Sequence, residues 1–200
     1  MKRLEMMLNK TTQIIRMMGC FIINKPRYKH YEFKSIVFKP IEIKGKRFIT
    51  IGKYIIIRKY SSIFALQSDK DHNPEIVIND FCSLGVSNHI AAVRKVVLGK
   101  YVLTANNVYI SDNIHEYENI NIPIMKQPVR FKSEVSIGDG TWVGENACII
   151  GATVGKNCVI GANAVVTKNI PDFSVAVGNP ARVIKHFNTE TEQWERIDSN

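Results

Sequence analysis

His115 is the side chain whose type and surroundings best suit it to chemistry. It lies in the segment SDNIHEYENINIPIMKQPVRFKSE, residues 111–134, where a regular spacing of aliphatic residues is interrupted. A neutral imidazole can take a proton from an attacking hydroxyl group, and such general-base catalysis typically contributes about 10² to 10⁴ in rate. His115 is therefore a candidate general base, with Asp112 and Glu116 as candidates to orient its imidazole. The alternative is a solvated loop histidine with no catalytic role.

The interrupted spacing is a six-residue repeat, which must position this loop. Its clearest part is residues 135–168, where an aliphatic residue followed by glycine recurs at Ile137-Gly138, Val143-Gly144, Val154-Gly155 and Ile160-Gly161. With Ile149 and Val166 included, the steps between the predicted inward positions are six, six, five, six and six. This is the period of neither a helix nor a single strand. It predicts a parallel β-helix, in which each hexad supplies one short strand and one turn, rather than a β-sandwich.

The same period suggests how the chain is organised. We predict an all-β protein with three parts: an N-terminal cap over residues 1–48, a β-helix domain of roughly five coils over 49–185 with a loop at 111–134, and a C-terminal tail over 186–200. Alternation of apolar and basic residues predicts strands within the cap. A short helix over residues 182–194 is expected to cover the last coil, since an uncovered coil would present unpaired strand edges.

The N-terminal segment carries the positive charge of the chain. Residues 1–60 contain fifteen lysines and arginines against three acidic residues, a net charge of +12, whereas the remaining residues sum to −3. Apolar residues at helical spacing predict an amphipathic helix over residues 3–18. Its apolar stripe consists of Leu4, Met7, Leu8, Thr11, Ile14, Ile15 and Met18. We expect the stripe to pack on the first coil or a neighbouring subunit; the alternative is a peripheral helix on an anionic inner membrane. Without a recognised binding motif, nucleic acid is not expected as a partner.

The cysteines and the apolar runs indicate the compartment. Four cysteines show neither a CxxC motif nor metal-site spacing, which is typical of reduced thiols; they are Cys20, Cys82, Cys148 and Cys158. No apolar run is long enough to span a bilayer, and the first residues lack the features of a signal peptide. We therefore expect a cytoplasmic protein, with peripheral attachment to the inner membrane as the alternative.

The repeat and the segment after it resemble a known family. Residues 135–168, followed by VVTKNIPDFSVAVGNPARVIK at 165–185, are similar to the left-handed β-helix hexapeptide acyltransferases. Among these, the chain most resembles the acetyltransferases of bacterial surface polysaccharides such as capsule or O-antigen, with maltose and nodulation-sugar acetyltransferases as cousins. The resemblance covers roughly residues 49–185. It implies left-handed winding, a homotrimer with active sites between subunits, acetyl-CoA as co-substrate, a carbohydrate acceptor and no metal.

The resemblance also implies which residues form the site. His115 follows Gly99 by sixteen residues, as the catalytic histidine of the maltose acetyltransferases follows its turn glycine. The residues matched to the acetyl-CoA site are Trp142, Gly144, Gly161, Ala162, Thr167, Lys168, Arg182 and Lys185. Trp142 has an equal alternative as a packing residue at the subunit boundary. The residues assigned to the acceptor are Asn88, Asn113 and Tyr117. Asn113 stands where many relatives have a second histidine, and His89 is a weaker candidate beside Asn88.

These observations lead to one expected function and two alternatives. We expect an O-acetyltransferase that transfers acetyl from acetyl-CoA to a sugar hydroxyl, with His115 as the base. An N-acetyltransferase of an amino sugar, or an antibiotic acetyltransferase, is the first alternative. The second is a β-helix module that binds a glycan or a partner without catalysis. The zinc-dependent carbonic anhydrases of the same fold are excluded, because the chain has no HxxxxH pair.

Overall fold

The computed structural model describes residues 2–197, with side chains described from residue 12 onwards. Helix α1 spans Lys2–Asn24. The strands of the first half are β1 His30–Tyr31, β2 Ile36–Val37, β3 Glu42–Lys44, β4 Ile49–Ile51, β5 Ile56–Ile57, β6 Ser62–Ala65, β7 Glu75–Ile78, β8 Ser83–Leu84, β9 His89–Ala92, β10 Lys95–Leu98 and β11 Leu103–Thr104. Those of the second half are β12 Tyr109–Ser111, β13 Asn113–His115, β14 Val129–Phe131, β15 Val135–Ile137, β16 Trp142–Val143, β17 Cys148–Ile150, β18 Val159–Ile160, β19 Val165–Val166, β20 Ser174–Val177, β21 Arg182–Asn188 and β22 Gln193–Arg196. Single 3₁₀ turns lie at Lys46–Phe48 and Ile124–Lys126.

The strands form three parallel sheets that the chain visits in turn. Sheet A contains β1, β4, β7, β10 and β15; sheet B contains β2, β5, β8, β11, β16, β18 and β20; sheet C contains β3, β6, β9, β12, β17 and β19. Bridges from Ile137 to Val154 and from Val154 to Ile170 continue sheet A through the last coils. The result is a column of triangular cross-section with six complete coils and the start of a seventh. The parallel β-helix predicted from the six-residue period is therefore confirmed.

The inside of the column is a stack of aliphatic side chains. All six inward positions predicted between 137 and 166 are buried, with exposed fractions of 0 to 2%. They stack in register, because Val143 pairs with Ile160 and Ile149 pairs with Val166 in neighbouring coils. Each additional coil thus extends one continuous apolar core, which explains why the sequence repeats.

The column begins earlier than the sequence predicted. Residues 30–44, assigned to the cap, form the first coil, since β1, β2 and β3 pair in parallel with β4, β5 and β6. Tyr31 and Ile43 occupy the inward positions below Ile51 and Ile63. The alternation in this segment was interpreted as capping strands because a tyrosine replaces an aliphatic residue and its turns lack the usual glycine. The predicted boundary at residue 48 therefore does not mark the start of the β-helix.

Helix α1 covers the open end of the first coil. It runs six residues beyond the predicted end of the helix, and Phe21 packs against the core together with Val37 and Ile43. The stripe residues Ile14, Ile15 and Met18 face solvent, so the first coil does not cover them in a single chain. The side chains of the predicted stripe residues Leu4, Met7, Leu8 and Thr11 lie outside the part of the chain whose side chains are described.

Within residues 2–197, no helix is long and apolar enough to cross a membrane.

The C-terminal segment differs from the predicted short helix. Strand β21 pairs antiparallel with β20, and β22 pairs antiparallel with β21, so sheet B gains two strands. Apolar residues in this segment alternate along a strand, and Phe187 packs its ring against Trp194 at 5.5 Å between centroids. This pairing satisfies the main-chain groups of β20 that an exposed edge would leave unpaired. The strands thus perform the covering role that was assigned to a helix.

The four cysteines are free thiols. Cys82 is buried in the column, and burial raises its pKa to about 12. A thiol with so high a pKa is protonated and unreactive at neutral pH. Cys82 is therefore a packing residue.

Candidate active site

His115 lies on a hairpin that leaves the column between β12 and β15. Strands β13 and β14 pair antiparallel, with His115 opposite Val129. The Glu116 amide donates a hydrogen bond to the Pro128 carbonyl over 3.0 Å, which extends the pairing by one residue. The His115 side chain is exposed at the corner where sheet C passes into sheet A. The interrupted period therefore corresponds to an ordered hairpin that presents the predicted base to solvent.

The hairpin is anchored at its start by Asp112. This carboxylate is fully buried, and it accepts hydrogen bonds from the main-chain amides of Val93 at 2.9 Å, Arg94 at 2.7 Å and Lys95 at 2.8 Å. The Asn113 side-chain amide donates a further bond to Asp112 over 2.8 Å. With its lone pairs occupied, Asp112 is not available to orient His115, which corrects one of the two predicted partners. Glu116 stays a prediction.

Lys132 anchors the hairpin at its end. Its main-chain amide donates to the Asp112 carbonyl and its ammonium group donates to the Ile150 carbonyl, both over 2.8 Å. The lysine stem lies across Gly151, where an added Cβ would stand 2.7 Å from it. Gly151 also has a φ of +53°, a conformation that glycine adopts without strain. Sequence reasoning missed this pair, although a glycine outside the hexad pattern was the available signal.

Asn88 is inside the column, not in a substrate groove. Its amide nitrogen donates to the Gly85 carbonyl at 3.0 Å and to the Thr104 hydroxyl at 2.8 Å, and its amide oxygen accepts from the Val108 amide at 2.8 Å. Only 2% of the residue is exposed. The predicted acceptor contact is therefore wrong: this asparagine satisfies main-chain groups where consecutive coils meet.

The other acceptor candidates lie on or near the hairpin. Asn113 is half-buried and uses its amide nitrogen on Asp112, which leaves its amide oxygen for another partner. Tyr117 is 59% exposed and follows β13 directly. His89 sits on the outer face of sheet C between the rings of Phe64 and Tyr109, at centroid distances of 5.1 and 5.4 Å. Burial lowers the pKa of His89, so its imidazole is neutral at pH 7.

A second group of predicted residues occupies the outer face of sheet B. Trp142, Val159, Val175 and Lys185 pair in succession, which places their side chains in one row. Three strand spacings separate the ends of this row, a distance of about 14 Å. Trp142 is 48% exposed. Arg182 begins the same strand as Lys185 and is exposed.

The predicted small residues line the edge of this face. A Cβ added to Gly144 would stand 2.6 Å from the Ala162 amide nitrogen, and one added to Gly161 would stand 2.8 Å from the Val177 side chain. Coil stacking alone thus explains both glycines. It also places small residues at the corner between sheets B and C, where Ala162 is exposed.

Thr167 and Lys168 do not join that group. They follow β19 and are exposed at the corner between sheets C and A, the corner from which the His115 hairpin leaves two coils earlier. In a triangular column this corner is opposite sheet B. One chain therefore separates the predicted residues into two groups, with His115 and Trp142 on opposite sides of the column.

Within the described residues, no group of three or more histidine, cysteine or acidic side chains is placed to hold a metal ion.

Comparisons with known proteins agree with this architecture. Residues 134–168 match the family model described as the hexapeptide repeat of succinyl-transferase. A putative lipopolysaccharide biosynthesis O-acetyl transferase of Escherichia coli, WbbJ, is 31% identical over 174 residues, which cover 83% of this chain and 86% of that protein. A probable acetyltransferase of Mycobacterium tuberculosis is 37% identical over 139 residues, or 69% of this chain, which spans only 44% of that relative's length.

A solved structure has the same fold. The N-acyltransferase AntD from Bacillus cereus, crystallised with dTDP and 3-hydroxybutyryl-CoA, superimposes with a TM-score of 0.67 at 14% identity. The match covers 84% of this chain and 88% of AntD. At this identity the likeness concerns the fold of the column and not the residues of the site.

Proposed function

The chain belongs to the hexapeptide-repeat acetyltransferases, and on that premise we propose that it transfers an acetyl group from acetyl-CoA to a hydroxyl group of a sugar. The observation that carries the proposal is the ordered hairpin, fixed at both ends, which presents His115 at a corner of the column. A surface polysaccharide or its precursor is the proposed acceptor. The relationship to the O-acetyl transferase WbbJ supports oxygen rather than nitrogen as the accepting atom.

The proposed mechanism needs one proton carrier. The His115 imidazole takes the proton of the acceptor hydroxyl while the hydroxyl oxygen attacks the thioester carbonyl of acetyl-CoA. Main-chain amides at the coil turns would stabilise the oxyanion of the tetrahedral intermediate. When the carbon–sulfur bond breaks, the imidazolium returns the proton to the leaving thiolate. The products are the acetyl ester and free CoA, and the imidazole is again neutral.

The row on sheet B is the proposed site of the donor. Its length of about 14 Å is of the order of an extended pantetheine arm. Trp142 would lie near the thioester, Gly144, Gly161 and Ala162 would allow the arm to approach the main chain, and Arg182 with Lys185 would bind phosphates through charge-assisted hydrogen bonds. Thr167 and Lys168, on the other corner, are proposed to contact the nucleotide end from a second subunit.

We propose that the active site is completed between subunits of a homotrimer. Because His115 and Trp142 are on opposite sides of one column, a site that contains both requires two copies. Sheet B also has an exposed apolar surface suited to a subunit contact: Ile56, Leu103 and Trp142 are 37%, 48% and 48% exposed. Beside them the rings of Tyr54, Phe81 and Tyr101 stack at 5.2 and 4.7 Å.

We further propose a cytoplasmic location with peripheral contact between the basic N-terminal segment and an anionic membrane. The free cysteines and the use of acetyl-CoA support the compartment. The net charge of +12 over residues 1–60 supports the contact.

The test is the release of free thiol from acetyl-CoA in the presence of candidate sugars. We expect His115→Ala to lower turnover by about 10² to 10⁴ while CoA binding is retained. His30→Ala is the matched control, because His30 is also exposed but is paired with Glu32 in the first coil, away from the hairpin. Unchanged turnover in His115→Ala would refute the assigned base. Turnover with amino sugars alone, and an amide product, would favour the N-acetyltransferase; no turnover with intact glycan binding would favour a binding module.

A further inference from the structure

Helix α1 presents an apolar face that points away from the protein. Ile14, Ile15, Met18 and Ile22 have exposed fractions of 54%, 64%, 48% and 68%. At about 100° per residue, these four side chains fall within an arc of about 100°. We call them the α1 stripe. Exposed aliphatic residues scattered singly are ordinary, but a continuous stripe along one helix indicates a contact surface.

The opposite side of α1 is already occupied by its own column. The Arg16 guanidinium, about 150° around the helix from the middle of the stripe, lies 5.8 Å from the centre of the Phe38 ring. Phe21, at the edge of the stripe, packs edge-on against Phe33 at a centroid distance of 5.5 Å. Cys20 lies on the side of the helix opposite Met18, and its proximity contributes, after burial, to the raised pKa values of Tyr28 and Tyr31. The orientation of the helix is thus fixed by contacts on one side, and the α1 stripe faces outward.

A basic groove runs beside the helix. Its apolar floor includes Ile36 and Val37, and four cationic side chains line it: Arg16, Lys39, Arg58 and Lys59. All four are exposed, and within the described part of the chain none forms an ion pair with a carboxylate. We call this the basic groove. Four cations around an apolar floor, none of them ion-paired among the residues whose side chains are described, are complementary to the phosphate groups of lipids.

We propose that the α1 stripe and the basic groove together dock the protein on an anionic lipid bilayer. The stripe enters the boundary between headgroups and acyl chains, and the groove cations meet lipid phosphates at the flank of the helix. An apolar face and a cluster of cations are the two signals that stable peripheral binding needs, since either alone gives weak and reversible attachment. This proposal extends the peripheral contact proposed above and does not depend on the transfer reaction.

The alternative occupant of the stripe is a second copy of the chain. A subunit contact would not require the cations beside the helix, which would repel those of another copy. A bilayer uses both features at once. The charge of the segment therefore favours lipid over protein as the partner.

The experiment is flotation of the full-length protein with vesicles. We expect binding to phosphatidylcholine vesicles that contain roughly one phosphatidylglycerol in three lipids, little binding to pure phosphatidylcholine, and release by salt. Ile15→Glu/Ile22→Glu in the stripe should weaken binding by about tenfold or more. Arg58→Glu/Lys59→Glu in the groove should weaken vesicle binding by at least about 30-fold. The removal of each cation accounts for about fivefold in affinity, and two are removed. The control Ile120→Glu/Ile197→Glu changes two isoleucines that are 93% and 48% exposed, in the hairpin segment and after β22, and should bind like the parent.

Other outcomes would overturn the proposal. Equal binding of the stripe variant and the parent excludes the helix as the docking element. If the parent does not float and the stripe variant changes its oligomeric state in sedimentation, the stripe belongs to a subunit contact. Inhibition of flotation by inorganic phosphate at low concentration identifies the groove as a site for free anions. Thiol release with a soluble sugar, measured on the same variants, reports separately on the transfer reaction.

Discussion

The Asp112 carboxylate and the Arg94 main-chain amide lie 2.7 Å apart at a position from which solvent is excluded. The amides of Val93 and Lys95 on either side also donate to this carboxylate. Three successive amides of one corner thus bind a side chain that immediately precedes the hairpin. The position of His115 depends on this contact, because Asp112 joins the hairpin to the preceding coil.

We therefore predict that Asp112→Asn lowers turnover and stability together. The NH₂ group of the asparagine would face main-chain N–H donors that now bind the carboxylate. The loss of a buried hydrogen bond to a charged acceptor costs about 1.5–3 kcal/mol. The expected result is a fall of about tenfold or more in kcat with a smaller change in KM for acetyl-CoA. Asp139→Asn is the control, because Asp139 is exposed and accepts one amide hydrogen bond, from Lys100. A variant that loses stability but retains kcat below its melting temperature would show that the anchor does not position the base.

Mixing two inactive variants should restore activity if the site lies between subunits. His115→Ala and Trp142→Ala remove residues on opposite sides of one column. In randomly mixed oligomers, about a quarter of the sites would have both residues intact, so about a quarter of the parent activity should return. If the mixtures stay inactive, either both residues act in the site of a single chain or no site is shared between subunits. Full activity of Trp142→Ala alone would remove sheet B from the donor site.

Asn88→Ala tests the distinction between an internal asparagine and a substrate contact. The change leaves the Val108 amide without its partner, and we expect a loss of about 1–3 kcal/mol in the free energy of unfolding. Turnover and KM for the acceptor should be unchanged at temperatures where the variant is folded. Chemical denaturation and steady-state kinetics measure the two effects. An increase in acceptor KM without a loss of stability would restore the substrate role.

Two glycine-to-alanine changes should have opposite effects. Gly144→Ala places a Cβ 2.6 Å from the main chain of the next coil, which cannot move aside, and should destabilise by about 1–3 kcal/mol. Gly19→Ala meets nothing within 4 Å and lies in α1, where alanine is favoured over glycine by about 0.8–1 kcal/mol. Melting temperatures of the two variants should therefore move in opposite directions. Equal shifts would contradict the close approach of coils at Gly144.

Stability should fall in mild acid through His89. Burial between Phe64 and Tyr109 lowers the pKa of His89 below its ordinary value of 6.5, so the unfolded chain binds the proton more readily. The stabilisation that the neutral ring contributes is fully present above the ordinary pKa of 6.5. It is lost as the pH falls below 6.5 towards the lower pKa of His89 in the folded protein. Melting temperatures measured between about pH 7 and about pH 5 should drop less in His89→Phe than in the parent. An identical drop would show that other groups control the acid sensitivity.

Much of the column could be predicted from the sequence because its core repeats. Each inward position between 137 and 166 is aliphatic, and one period explains all of them. The first coil was not recognised, because Tyr31 and basic turns replace the usual residues there. The C-terminal strands were not recognised either, since their pairing with β20 is a tertiary contact that local spacing does not report.

The candidate site was predictable in its types of residue and less so in its contacts. The break in the period indicated a loop that contains His115, and the structure shows a β-hairpin in this segment. Asn88 was matched to the acceptor through the resemblance, and Asp112 was a candidate because it is close to His115 in sequence; only their burial shows that the fold itself uses their hydrogen bonds. The anchor formed by Lys132 and Gly151 spans nineteen positions of sequence, a separation that no local pattern encodes.

The two ends of the column are closed by different elements, α1 at one end and the β21–β22 ribbon at the other. A stack of parallel strands can in principle accept further rungs without limit, as amyloid fibres do. Here the ends are covered by α1 and by antiparallel strands, neither of which continues the parallel stacking of coils. The protein thus limits its own growth along the axis, which leaves sideways association of whole columns as the route to assembly.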